Sequence, residues 1–243
     1  MGDMKIELTD DTIVTQVTAS LKELTMDEIY RSLRLNPKNK ITIATPIDAN
    51  AAKVGAFMLG CCLLETVSGF CFRNGGQSGF EQICKKYLEN IDARYKQLSL
   101  YGALRSGLMH SYSPWEEISG VKHRFWLTDG DADHHLKPVE GEDQTYLLNL
   151  QNFIVDVETV LEQFLAKLPN NEDKCRENLI IWAKQKGWMT VSTVPVYDFD
   201  GNLLRRSASG AEFYNREPPP ASVSANATVD TKVMRAKKTE LDG

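Results

Sequence analysis

A chain of 243 residues, 42% hydrophobic and 25% charged, is long enough for one well-filled core or for one domain with an appendage. Its net charge of −5 excludes a global basic field, so any nucleic-acid binding needs a local patch or a dimer groove. The five cysteines, at 61, 62, 71, 84 and 175, include no Cys-x-x-Cys pair; an odd count of free thiols in a reducing cytoplasm fits better than a disulfide scaffold.

The start, Met1-Gly2-Asp3-Met4-Lys5-Ile6, carries no apolar signal region and lacks the hydroxyl residue a myristoylation motif places sixth. Residues 12–24 and 25–35 predict two short helical turns, and Pro37, Asn39 and Pro46 then break the pattern. Ile41-Thr42-Ile43 reads as a short strand or extended chain. Asp48 as N-cap predicts a helix from about Ala49 to Phe72, apolar on nearly every face and suited to the middle of a bundle. Val54 to Phe72 has the composition of a membrane span, but Glu65 interrupts it. The longest clean run, Val54–Leu64, is too short to cross a bilayer, and a central carboxylate would cost roughly 3 kcal/mol. A core helix of a soluble protein, with no membrane partner, is expected.

Asn74-Gly75-Gly76 ends that helix, and Ser78 caps a shorter one to about Asn90. Ala93 to His110 predicts another, with Leu100, Leu104 and Leu108 as its stripe, Leu98 and Tyr101 beside them, and Pro114 as the latest stop. Val121 to Leu127 predicts a strand or hairpin, followed by an acidic loop, Asp129 to Asp143. The clearest helix spans Gln144 to Leu168, with Leu147, Leu150, Ile154, Val157, Leu161, Phe164 and Leu168 at helical spacing. This stripe is expected to pack on the one at 100–108. A helix over 172–186 ends at Gly187; Trp188–Phe199 and Asn202–Ser207 flank a hairpin turn at Asp200-Gly201. From about Asn215 the composition suggests disorder. The fold class is mainly α: a helical bundle with a small β-hairpin insertion and a short C-terminal β-hairpin appendage. The expected segments are 1–47, packing on the core; 48–168, the helical core; 169–214, helix and hairpin; and 215–243, tail.

Residues 101–114 read Tyr-Gly-Ala-Leu-Arg-Ser-Gly-Leu-Met-His-Ser-Tyr-Ser-Pro. Four residues separate Arg105 from His110, which resembles the arginine–histidine signature of the HEPN superfamily, in particular its uncharacterised bacterial members. The order of elements is also similar: a long apolar helix, a helix ending in the motif, then a long amphipathic helix. The resemblance implies a HEPN-like core over 48–168 and a homodimer in which two motif copies meet. It implies metal-independent RNA cleavage in a toxin or defence role, with an antitoxin or other protein as partner and no cofactor. In that chemistry an imidazole moves protons near neutral pH, and a guanidinium fork holds the charged phosphate. His110 would be the acid–base, Arg105 the phosphate clamp, and Glu65, Ser106 and Tyr112 supporting residues. The alternative is a non-catalytic HEPN-like dimerisation or protein-binding module.

Five steps of about 100° set Arg105 and His110 roughly 140° apart on a continuous helix, so sharing a face needs a bend or an end near Gly107. The family often has asparagine after the arginine; Ser106 is a smaller polar substitute. Arg and His near a helix C-terminus also satisfy terminal carbonyls without any catalysis. Glu65, the lone carboxylate in the apolar stretch Val54–Phe72, pairs with Arg105, pairs with Arg73, or sits at a partly wet edge. Asp129, Asp131, Asp133 and Glu140 occupy EF-hand-like positions, but His134 stands where the sharp turn requires glycine. His123, His134 and His135 lack a metal-ligand spacing, so a solvated acidic loop and no metal are expected.

Overall fold

The computed structural model describes residues 9–130 and 134–186, and the backbone of three short strands between 196 and 217. Thr9 accepts a hydrogen bond from the Thr12 backbone and opens α1, Asp10–Ala19. The helix continues through a π-helical turn, Ser20–Met26, into α2, Asp27–Ser32. The two turns expected at 12–24 and 25–35 are thus one helical stretch, whose middle is widened rather than broken. Ile41 is buried and Ile43 exposed, in extended chain and turn rather than a strand.

Helix α3, Lys53–Phe72, begins four residues later than expected. Asp48 does not cap it: its carboxylate accepts from the Asn50 N–H at 2.7 Å, closing a turn ahead of the helix. Apolar residues on every face let α3 pack against α2, α4, α7 and α8 at once. It is long and apolar enough to cross a bilayer, yet most of it is buried inside the bundle, as a core helix is. Next come α4, Gly76–Ile83, a π-helical turn, Cys84–Leu88, and α5, Glu89–Ile91. Ser78 lies inside α4 instead of capping it; its hydroxyl accepts from the Asn74 and Gln82 amides.

The single helix expected over Ala93–His110 is broken. A 3-10 turn, Ala93–Gln97, is capped by Asp92, and the chain extends at Leu98. A π-helical turn, Leu100–Ser106, then leads into α6, Gly107–Ser111. Leu100, Leu104 and Leu108 are buried as expected, but their turn packs on α3 and α4. The partner stripe also packs on α3, because a helix apolar all round lies between the two and receives both.

Strand β1, Trp115–Ile118, pairs antiparallel with β2, Val121–Thr128. Ser119 and Gly120, at φ 53° and 81°, make the two-residue turn whose twist matches a hairpin. A third strand, β3, Thr145–Asn149, pairs parallel with β2, Arg124 opposite Thr145 and Thr128 opposite Asn149. Phe125 and Leu148 turn the inner sheet face into the core.

Residues 145–149 were expected to be helical. Instead Asn149 ends the strand, and its side chain caps α7, Leu150–Lys167, by accepting from the Asn152 N–H. Phe153 of α7 meets Phe57 with ring centres 5.5 Å apart, and Phe164 stacks on Phe70 at 6.4 Å. A Cβ on Gly60 would come within 2.8 Å of the Phe153 ring, so glycine sets how closely the two helices meet.

After a 3-10 turn, Glu172–Lys174, helix α8, Cys175–Gln185, packs on α3 and α1. The expected stop at Gly187 lies outside the described residues. The chain divides into two units, 1–190 and 191–243. The second holds an antiparallel sheet of β4, Val196–Tyr197, β5, Leu203–Arg206, and β6, Phe213–Glu217. The hairpin expected there has a third strand, and β6 runs past Asn215 where the sequence suggested disorder. Residues 218–243 lie outside the described residues. Among the described residues the architecture is mainly helical, with two small sheets.

Candidate functional site around Arg105 and His110

The signature spans the change from π- to α-helical winding at Gly107. Helix α6 ends at Ser111 because Tyr112 turns left-handed at φ 52°, and its N–H closes back on the Leu108 carbonyl at 3.2 Å. The chain then folds over its own helix: the Ser113 N–H reaches the Gly107 carbonyl at 3.2 Å. A Cβ on Gly107 would stand 2.4 Å from the Ser113 carbonyl oxygen and 3.0 Å from the Trp115 nitrogen. Only glycine lets the hairpin cross so close to the motif.

Arg105 points at α3. Its Nε donates to Glu65 Oε2 at 2.9 Å, and Nη2 lies at the same distance from that oxygen. The guanidinium also rests over Tyr101, 5.4 Å from the ring centre, and Tyr101 meets Phe80 edge-on. Of the settings the sequence left open for Glu65, the pairing with Arg105 is the one that forms. Both side chains are about one-fifth exposed, so the pair is neither fully screened nor fully desolvated. Glu65 borders an open groove of about 770 Å³ that Cys62, Thr66, Asn74 and Lys186 also line. Burial pushes the Cys62 thiol up, opposed by Arg105 and reinforced by Glu65.

His110 lies on the exposed last turn, and its side chain has no hydrogen-bond partner among the described residues. No bond or ring contact there joins it to Arg105, so relaxation at Gly107 does not by itself bring the two together. Ser106 is half-buried between them, and Tyr112 is 76% exposed. Met109, Tyr112, Trp115, Ile118, Val121 and Trp126 are six of the eight exposed large hydrophobics among the described residues; Met109 and Tyr112 flank His110 in the chain, while the β1–β2 register sets Trp115 and Trp126 on one sheet face and Ile118 and Val121 on the other.

No protein-family model, curated protein or solved structure matches this chain.

One polar centre was not foreseen. His135, placed by the sequence in a solvated acidic loop, is 3% exposed. The Tyr95 hydroxyl donates to Asp156 at 2.7 Å and lies 3.1 Å from His135 Nε2. The Asn149 N–H donates to His135 Nδ1 at 3.3 Å, which leaves the proton of the neutral ring on Nε2, facing Tyr95 and Asp156. Arg94 donates to the His135 carbonyl at 2.7 Å. Burial, then the Asp156 charge, holds the Tyr95 hydroxyl well above its ordinary range. This network ties the loop before β3 to α7. Two adjacent histidines in an acidic run signalled polarity but not burial. Among the described residues no group of three or more His, Cys, Asp or Glu side chains could hold a metal ion.

Proposed function

We propose that the chain is a metal-independent RNA endonuclease of HEPN type that works in the cytoplasm as a homodimer. The observation that carries this is the setting of His110: an exposed side chain without a partner among the described residues, flanked by exposed Met109 and Tyr112, which a second copy would cover. Pairing there would bring two His110 imidazoles into one groove, as the resemblance implies. One would take the proton from an RNA 2′-hydroxyl while the other protonates the leaving 5′-oxygen. Glu65 occupies Nε and Nη2 of Arg105, leaving Nη1 to reach the charged phosphate. Preset on Tyr101, the guanidinium pays little to be oriented. A toxin or defence effector restrained by a protein partner is the setting that the resemblance supports.

The test is cleavage of mixed RNAs by purified protein in EDTA, beside His110→Ala and Arg105→Ala. Each substitution should lower cleavage by about 100- to 10,000-fold with the fold intact. A second reading, a non-catalytic dimerisation or protein-binding module, is favoured by the neutralisation of Arg105 by Glu65 and by its separation from His110. Under that reading the protein dimerises through the same surface and cleaves nothing.

A further inference from the structure

The β1–β2 hairpin has one face turned to the core and one turned away from it. Its register sets Trp115 opposite Arg124 and Glu117 opposite Lys122 on the same side, with Trp126 two residues beyond Arg124 on that side too. The other side packs inward: Phe125 is buried, and the Glu116 carboxylate accepts from the Ser99 hydroxyl just ahead of the π-helical turn that carries Arg105. The tryptophan side is left to solvent, with Trp115 40% and Trp126 45% exposed.

Two exposed indoles on one sheet face make a patch rather than scattered surface residues. As diagonal neighbours across the strand pair they lie about 7–8 Å apart. That is roughly twice the 3.4 Å step between stacked nucleotides, so the rings suit neighbouring bases of a strand that has been drawn out. Cations accompany the rings. The Lys122 ammonium lies 5.6 Å from the centre of the Trp115 ring, and Arg124 is opposite one tryptophan and two residues from the other. Arg124 Nη1 stands 3.8 Å from the Glu142 carboxylate, longer than a hydrogen bond, so that contact does not occupy its N–H donors.

We propose that this face is a platform for single-stranded RNA, on which one base stacks on Trp115, another stacks on Trp126, and Lys122 and Arg124 hold the phosphates beside them. A strand that alternates flat bases with phosphates answers both the rings and the cations. An apolar protein surface would strip water from both cations without supplying a counter-charge. A duplex keeps its bases stacked inside and offers the rings no faces. The inference rests on the reading of the chain as a protein that acts on RNA, and it names the form of that RNA, an unpaired strand. The platform begins where the chain leaves the motif. Trp115 N would be 3.0 Å from a Cβ on Gly107, and His110 is about one helical turn further on, so a strand seated on Trp115 lies beside the exposed end of α6.

The test measures binding apart from cleavage. A short fluorescein-labelled 2′-O-methyl oligoribonucleotide of mixed, unstructured sequence has no 2′-hydroxyl to attack its phosphates. Its binding to the full-length protein is followed by fluorescence anisotropy. Trp115→Ser and Trp126→Ser should each weaken binding about 5- to 150-fold, the range for losing one stacked base, while Trp115→Phe keeps most of it. Lys122→Gln should lower the slope of log affinity against log salt by about 0.7, the share of one phosphate. The same sequence annealed to its complement should bind far more weakly. These are exposed positions, so the variants should melt and sediment as wild type does. No binding by wild type, wild-type affinity in both serine variants, or equal affinity for strand and duplex overturns the proposal. So does a shift of either serine variant towards monomer, which would make the face an interface between copies. A protein that binds the strand through both tryptophans yet cleaves no RNA keeps the platform and loses the nuclease reading.

Discussion

Replacing Gly107 by alanine tests the local architecture of the motif without touching a functional group. In an unobstructed helix the change stabilises, because alanine is the better helix former by about 1 kcal/mol. Here the new Cβ meets backbone on the returning chain: the Ser113 oxygen at 2.4 Å and both polar atoms of Trp115 at 3.0 and 3.1 Å. None of these can rotate away as a flexible side chain would, so the start of the hairpin must shift. Overpacking of this kind costs about 1–3 kcal/mol, and the hydrogen bond from Ser113 to Gly107, worth about 1 kcal/mol, goes with it. After the helix-propensity gain, a net loss of about 1–3 kcal/mol remains. For a unit of this size that lowers Tm by about 3–10 °C in a thermal melt followed by circular dichroism. Gly55→Ala is the internal control. Its Cβ would find only the Ala52 methyl at 3.7 Å, an ordinary contact, so the same chemical change should raise stability by about 0.5–1 kcal/mol. Opposite signs at the two glycines are the expected result. A Gly107→Ala protein as stable as wild type refutes the close crossing.

Ile154→Ala, fully buried on α7, should cost about 2–5 kcal/mol in chemical denaturation, and an unchanged midpoint would remove α7 from the core. Glu65→Gln should cost about 1–3 kcal/mol and weaken any cleavage, because Arg105 loses the carboxylate that orients it; a neutral effect on both makes the pair incidental. Burial holds the Tyr30 hydroxyl up to about 12, so the unfolded tyrosine ionises first. Its contribution is therefore complete below about pH 10 and lost as pH rises towards 12, and Tyr30→Phe should flatten that part of the stability profile. Trp115→Ser should shift sedimentation towards monomer if the exposed Trp115 lies in the dimer face.

Much of the helical core was legible because its signals are periodic. The stripe from Leu150 to Phe164 and the all-round apolar character of α3 each gave a helix at nearly the right place. Glu65 was legible as a group in need of a partner, since an isolated carboxylate on such a helix is costly. Strand β3 was not: Leu147 and Leu150 fit a helical repeat, and only pairing with β2 shows that the helix starts later. The π-helical turns at 84–88 and 100–106 leave no composition signal either. Asp48 and Ser78 have the chemistry of helix caps but serve in a turn and inside a helix, because the neighbouring backbone decides where a helix begins. The burial of His135 depends on Tyr95 and Asp156, which are 40 and 21 residues away in the chain.

The central claim, that His110 is an acid–base in RNA cleavage, is tested most directly by comparing wild-type and His110→Ala protein on mixed RNAs in EDTA, with the product ends identified. Cleavage by wild type that leaves 2′,3′-cyclic phosphate ends, and falls by about 100-fold or more in a folded His110→Ala protein, is the predicted result. Equal cleavage by both proteins, or activity abolished by chelation, would contradict it.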